Sequence, residues 1–286
     1  MHRLPVERLL VFWCVFMTMK YRFGFIGAGA MAETIASGMI QQGVCTKRDI
    51  IMSNRSKEKL LRVKEKLGIT AAESNHQVVA EAEYLVIAVK PQQFHTVVDK
   101  LEQKPGKDQT VISIMAGVPI KTIEQQLGKI SIFRAMPNTP AKIGWGMTGV
   151  CAGSEVTEEQ KQVVLNIFDS VGKTVFVDES YMDAIGAVSG CGPAYMYQIL
   201  EAIADGAVLT GLPRNMAYEL AAQTMAGSAM MLLETGLHPG ALKDQVTSPG
   251  GTTIRAIKTM EDKGVRSAMI EAVEQAYLRS KDLGEK

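Results

Sequence analysis

Apolar and polar positions along the chain change rhythm once, near Asp178. Before it, short apolar runs alternate with stretches of helical period. Tyr21-Arg22-Phe23-Gly24-Phe25-Ile26 is the first run and reads as a buried strand. Ile50-Ile51-Met52-Ser53 is a second. Tyr84-Leu85-Val86-Ile87-Ala88-Val89 is apolar throughout, as expected of a strand covered on both faces of a parallel sheet. Further strands are expected over 110–114, 130–134, 148–151 and 174–177. Helices are expected over 33–42, over 57–67, where Gly68 stops the pattern, and over 158–171. Strands alternating with helices argue a doubly wound, mostly parallel α/β sheet.

After Asp178 the strand signals stop. Segments 180–211, 214–236, 238–246, 251–262 and 265–283 read as helices rich in Ala and Met, with little charge on more than one face. A helix apolar around much of its surface is buried or sits in an interface. The second region is therefore expected to be all-helical and to make a dimer. Residues 19–178 and 179–286 form the two expected domains.

Residues 1–18 stand apart. Leu9-Leu10-Val11-Phe12-Trp13-Cys14-Val15-Phe16-Met17 is apolar and follows Arg3 and Arg8, as in a secretory signal. No small-residue cleavage site follows, and the run falls short of the roughly 20 apolar residues of a membrane span. Met19 before the first strand looks like a natural start. Residues 1–18 are accordingly expected to be a leader, from an upstream start choice, that is disordered or absent in the working protein.

Composition narrows the function classes. A formal net charge of +1 gives no support to a nucleic-acid or acidic-membrane partner. Four cysteines and four histidines are scattered without metal-ligand spacing, so no metal is expected, and the thiols suit a reducing, cytoplasmic compartment.

The chain is organised around Gly27-Ala28-Gly29-Ala30-Met31-Ala32, between the first strand and the first helix. Strand, glycine turn and helix form the setting in which GxGxxA binds a dinucleotide. Gly27 allows the tight turn, Gly29 lets the backbone approach a pyrophosphate, and Ala32 lets helix and strand pack closely. The helix N-terminus offers free N–H groups and a partial positive charge. The second strand ends in Ser53-Asn54-Arg55-Ser56, where an NAD enzyme usually has Asp or Glu. An amide, a cation and a hydroxyl suit a 2′-phosphate, which favours NADP over NAD. The alternative makes Arg55 a solvated surface residue and Asn54 a turn former.

Three more stretches carry candidate chemistry. Val89-Lys90-Pro91-Gln92 closes the central strand at the ligand edge of the sheet. It is expected to contact the cofactor through backbone, with Lys90 undecided as a catalytic group. Arg134-Ala135-Met136-Pro137-Asn138-Thr139-Pro140 is held rigid by two prolines. The Asn138 amide there suits the nicotinamide or the substrate, though a purely structural loop fits too. Ser248-Pro249-Gly250-Gly251-Thr252-Thr253 resembles an anion-binding turn at a helix start, with simple N-capping by Thr252 or Thr253 as the alternative. Cys191, in Val188-Ser189-Gly190-Cys191-Gly192-Pro193-Ala194-Tyr195, has no His or acidic neighbour in sequence and reads as a small packing residue.

Taken together, these motifs resemble the pyrroline-5-carboxylate reductase family. The most specific parts are residues 188–195, His238-Pro239-Gly240, and Leu242-Lys243-Asp244 leading into Ser248–Thr253. The family pattern often has Ser at the Cys191 position. The resemblance implies a Rossmann-type domain followed by an all-helical dimerisation domain, in homodimers or larger rings, with the active site completed by the partner. It implies NADPH-dependent hydride transfer, with NADH possible, to the cyclic imine 1-pyrroline-5-carboxylate, giving L-proline. By carry-over, Ile26, Gly27, Ala28, Gly29, Ala30 and Met31 meet the pyrophosphate. Asn54, Arg55 and Ser56 meet the adenosine end, and Ala88, Val89, Lys90 and Pro91 line the nicotinamide side. Ser248, Gly250, Gly251 and Thr252, with Asn138, bind substrate, and Thr253 donates a hydrogen bond near the ring nitrogen. A protonated imine is already electrophilic, so the task is mainly to orient two reactants.

Two rival readings remain at this level. One is a β-hydroxyacid-type dehydrogenase, which uses a Lys and an Asn on the inter-domain helix; residues 189–201 contain neither. The other is a non-catalytic NADP-binding regulatory relative, against which the intact turn 248–253 argues.

Overall fold

A computed structural model of the chain describes residues 19–284; the expected leader, 1–18, lies outside them. Eight strands form one sheet: β1 (Tyr21–Ile26), β2 (Ile50–Ser53), β3 (Thr70–Ala71), β4 (Ala82–Ile87), β5 (Thr110–Ser113), β6 (Ser131–Met136), β7 (Gly146–Ala152) and β8 (Gly172–Phe176). Their order is β3-β2-β1-β4-β5-β6-β7-β8. All neighbours are parallel except β6 and β7. The chain runs outward from β1 to β3, then returns to place β4 on the other side of β1. That reversal makes a switch point at the carboxyl ends of β1 and β4, the crevice where open α/β sheets bind ligands.

Alternation of side chains sorts the core into two layers. Tyr84, Val86, Ile112 and Phe133 pack on one face with α1 (Ala30–Gln41), α2 (Lys57–Leu67) and α6 (Glu158–Asp169). Leu85, Ile87, Val111 and Ile132 pack on the other with α3 (Asn75–Glu81), α4 (Phe94–Asp99) and α5 (Ile120–Leu127). Successive strand residues point to opposite faces, so each continuous apolar run fills both layers.

The strands occupy the expected stretches, with shifted ends. The central strand covers 82–87 rather than 84–89, which leaves Ala88 and Val89 in the loop at the ligand edge. The first helix starts at Ala30, three residues earlier than its polar–apolar period suggests, because Gly29 already serves as N-cap. Strand β3 and helices α3, α4 and α5 were not expected. They are short, two to eight residues each, which leaves little period to read along the chain.

From Glu179 onward every element is helical: α7 (Met182–Ile185), one π turn (Gly186–Gly190), α8 (Gly192–Leu209), α9 (Arg214–Thr235), α10 (Pro239–Gln245), α11 (Thr252–Asp262) and α12 (Val265–Gly284). The single helix expected over 180–211 is thus three pieces, because the backbone bonding shifts by one residue over Gly186–Gly190 and Pro193 has no N–H. Helices α8 and α9 pack on each other, and α12 returns to pack on α7 and the π turn. Few of their side chains are buried: Ala204, Ala217 and Ala221 are, whereas Tyr197, Ile203, Leu209, Leu220, Leu233 and Ile270 are exposed. Among the described residues no helix is long and apolar enough to cross a membrane.

Candidate active site

The glycine loop sits at the switch point. Gly27 has φ 112° and lies so close to β4 that a Cβ there would stand 2.5 Å from the Ala88 carbonyl oxygen. Only glycine tolerates that conformation and that approach. The Gly27 N–H donates to the Ser53 carbonyl, and the Ala88 N–H donates to the Ile26 carbonyl, at 2.9 Å each. Three strand ends therefore meet, which brings Ile26–Met31, Asn54–Ser56 and Ala88–Pro91 to one edge.

The helix that follows is built to hold an anion. Its N-cap, Gly29, carries no side chain to satisfy the first turn, and Gly29 and Ala30 are exposed. A Cβ at Gly29 would meet nothing within 4 Å, so the approach to the N–H groups of Ala30 and Met31 is open. The residues present thus fit a dinucleotide pyrophosphate. Ala28 is a partial exception, because its N–H already donates to Asn54 Oδ1 at 3.1 Å.

Asn54 spends its amide within the protein: Nδ2 donates to the Ser56 carbonyl at 3.0 Å, so the side chain pins the glycine loop to the end of β2. Ser56 caps α2, accepting from the Lys59 N–H at 3.4 Å. Arg55 is exposed, and among the described residues no acid lies in ion-pair range of it. Of this trio it is the group with full capacity for an incoming phosphate. Pro91 opens a short 3₁₀ turn with Lys90 as its N-cap and Lys90's side chain exposed.

Asn138 follows β6 at the same edge and is buried. Its Oδ1 accepts from the Met147 N–H at 2.9 Å, and its Nδ2 donates to the Ser189 carbonyl at 3.0 Å. One amide N–H is left for anything else. Tyr195 donates its hydroxyl to the Ala187 carbonyl at 3.2 Å; burial and the adjacent Cys191 thiol raise its pKa above the ordinary tyrosine value.

The turn before α11 has the geometry of an anion cradle. Gly250 has φ 70°, the Gly251 N–H donates to the Ser248 carbonyl at 3.0 Å, and a Cβ at Gly251 would sit 2.4 Å from Ser248 Oγ. The N-cap is Gly251, without a side-chain bond, so Thr252 and Thr253 lie inside the helix and do not cap it. The first-turn N–H groups remain available beside the Ser248, Thr252 and Thr253 hydroxyls. This turn is not tied to the sheet of its own chain as the other candidate residues are: α11 packs on α12 and makes no comparable contact with β1, β4 or α1.

Sequence reading missed the ionic tie between sheet and helices. Buried Arg134 of β6 reaches Glu179 at 3.3 Å and Asp183 at 3.4 Å. Glu179 also accepts from the Ile120 N–H at 2.7 Å, and Asp183 from Ser280 Oγ at 2.8 Å. An arginine inside an otherwise apolar strand was the one available signal. Among the described residues no group of three or more His, Cys, Asp or Glu is placed to hold a metal ion.

The chain is similar to pyrroline-5-carboxylate reductases along nearly their whole length. It is 44% identical to that of Methanosarcina acetivorans, covering 93% of this chain and 98% of the relative. It is 43% identical to that of Escherichia coli, covering 93% and 99%. The chain belongs to the pyrroline-5-carboxylate reductase family. Residues 179–283 match the model described as pyrroline-5-carboxylate reductase dimerisation, so the all-helical half is the family's dimerisation region. Residues 22–117 match the model described as NADP oxidoreductase, coenzyme F420-dependent. Solved structures agree: the reductase of Coxiella burnetii superposes with a TM-score of 0.84 at 39% identity, covering 93% of this chain and all of that one. That of Plasmodium falciparum, with NADP bound, superposes at 0.83 and 30%, covering 93% and 99%. The parallel sheet followed by dimerisation helices is thus the architecture of the family.

Proposed function

We propose that this protein reduces 1-pyrroline-5-carboxylate to L-proline, the last step of proline biosynthesis, and that NADPH is its preferred hydride source. Kinship with reductases of that name over 93% of the chain carries the reading. The NADP in the Plasmodium falciparum relative, and the exposed Arg55 where an NAD enzyme has an acid, support the cofactor.

The residues take these roles. The N–H groups of Gly29, Ala30 and Met31 hold the pyrophosphate, on a loop shaped by Ile26, Gly27 and Ala28. Arg55 and Ser56 receive the 2′-phosphate, and Asn54 keeps that loop against β2. Ala88, Val89, Lys90 and Pro91 border the nicotinamide. Bound there, the reduced nicotinamide supplies the hydride. Ser248 with the N–H groups of Gly250, Gly251 and Thr252 holds the substrate carboxylate, and the Thr253 hydroxyl donates a hydrogen bond near the ring nitrogen. Orientation of a ready electrophile accounts for most of the catalysis.

Because the turn 248–253 stands on a helix packed away from its own sheet, a second copy brings it to the cofactor edge. The working form is a homodimer or a larger homo-oligomer that buries the apolar side chains of α8 and α9. The free thiols Cys45, Cys151 and Cys191 suit the cytoplasm.

The test is loss of reduced-nicotinamide absorbance with purified protein, pyrroline-5-carboxylate, and NADPH or NADH. Faster loss with NADPH supports both parts. Faster loss with NADH keeps the reaction and discards the phosphate argument. No loss from folded protein that binds cofactor moves the assignment to a non-catalytic relative.

A further inference from the structure

The π turn Gly186–Gly190 keeps backbone bonds of π register, and side chains add to them where that register leaves groups without a partner. The Cys191 N–H reaches back to the Gly186 carbonyl at 2.9 Å, one residue beyond the α-helical partner. Four residues after Ser189 stands Pro193, which has no N–H, so the Ser189 carbonyl has no α-helical donor. The Ala194 N–H is committed to the Cys191 carbonyl at 3.0 Å. Asn138 Nδ2 supplies the missing donor from across the fold, 51 residues away.

The same asparagine accepts the Met147 N–H, and Met136 at the end of β6 lies against the side-chain-free faces of Gly186 and Gly190. A Cβ there would stand 3.2 and 3.0 Å from Met136 Cε. The end of β6, the start of β7 and the π turn are thus tied through one amide, at the sheet edge that carries the cofactor loop. A π turn inside an α-helical run is a locally costly arrangement that recurs at functional sites.

We propose that Asn138 is a positioning residue for hydride transfer: standing in for the absent Pro193 N–H, it fixes the π turn to the β6 end as a rigid wall of the cleft. This replaces direct substrate contact as its role, and it rests on the reductase reading above. The wall is set before substrate arrives, so loss of Asn138 lowers turnover more than it weakens binding.

The experiment compares wild type, Asn138→Ala, and Asn138→Ala with Pro193→Ala, which restores a local donor to the Ser189 carbonyl. Asn138→Ala is expected to lower kcat about 10- to 100-fold, with KM for NADPH changing less than twofold. Adding Pro193→Ala is expected to recover part of the lost melting temperature but not kcat, because the tie to β6 and the acceptor for the Met147 N–H stay lost. Recovery of both together, or kcat unchanged in Asn138→Ala, overturns the proposal. Amide hydrogen exchange over 186–195 gives a readout independent of activity. It is expected to quicken at least tenfold in Asn138→Ala, and unchanged exchange there overturns the proposal even if the wild type proves inactive on this imine.

Discussion

Arg55 shows how much one exposed side chain decides at the residue scale. Asn54 is spent on the glycine loop and Ser56 also caps α2, so discrimination between the cofactors is expected to fall mainly on the Arg55 guanidinium. A hydrogen bond to a charged group is worth about 1.5–3 kcal/mol. Arg55→Ala is expected to lower the NADPH-to-NADH ratio of kcat/KM at least tenfold, read from parallel kinetics with the two cofactors. Thr253→Val keeps size and removes the hydroxyl. It is expected to cost roughly 10²-fold in kcat, the scale of losing one oriented donor, and unchanged turnover would remove Thr253 from its role. A third residue speaks to pH. Burial, and then the Glu179 charge, push the Cys151 thiol from 9.0 up to about 12. The folded state therefore keeps a proton that the unfolded chain releases above about pH 9. That contribution to stability is complete below pH 9 and is lost as pH rises towards 12. In denaturant titrations over this window, Cys151→Ala is expected to lose less stability with pH than the parent.

At the scale of elements, two helix starts stand open and one ionic cluster ties the sheet to the helices. Helices α1 and α11 both begin at a glycine N-cap that makes no side-chain bond, Gly29 and Gly251. Ser56, Ser74 and Thr157 cap α2, α3 and α6 in the ordinary way. An uncapped start gives up about 1 kcal/mol of local stability, and in exchange the first-turn N–H groups stay open to an anion. The cluster is Arg134 with Glu179 and Asp183, which joins β6 to α7, α12 and the start of α5. Removing the buried member leaves two acids facing each other. Breaking a buried pair typically costs about 3–5 kcal/mol, and because both acids are partly solvated Arg134→Ala is expected near 3. Chemical denaturation measures this, and a cost under 1 kcal/mol would show that the cluster is not what holds the helices to the sheet.

The whole molecule is lopsided in burial. The sheet half has two filled layers, while α8 and α9 leave Leu209 89% and Leu233 60% exposed. A single chain leaves these side chains in water, and the match of residues 179–283 to a dimerisation model says that a second copy covers this region. Leu233→Asp is expected to weaken dimerisation at least 100-fold. It would forfeit the roughly 1.5–3 kcal/mol of a buried leucine and place a carboxylate in an apolar interface. Sedimentation should then show monomers at micromolar concentration, with reductase activity lost in step. A monomer of full activity would mean that each chain completes its own site.

Much of this was legible along the chain because it depends on near neighbours. An apolar run such as Tyr84–Ile87, among others that alternate with helical stretches, satisfies its backbone and buries its side chains in a parallel sheet. Gly27-Ala28-Gly29 after such a strand admits few conformations. Gly68 and Gly236 end their helices in the left-handed region, where glycine is the natural occupant. Local sterics and hydrophobic period therefore determined the fold class, most element positions and the cofactor loop. The tertiary structure decided what depends on distant partners: Asn54 pinned to Ala28, Asn138 reaching Ser189, Arg134 held by Glu179 and Asp183, and the break of the 180–211 helix into three pieces. Those pairings span 26 to 51 residues and leave no periodic trace. A buried amide or guanidinium bonds whatever unsatisfied group the fold brings within hydrogen-bond reach, and only the packed chain says which group that is.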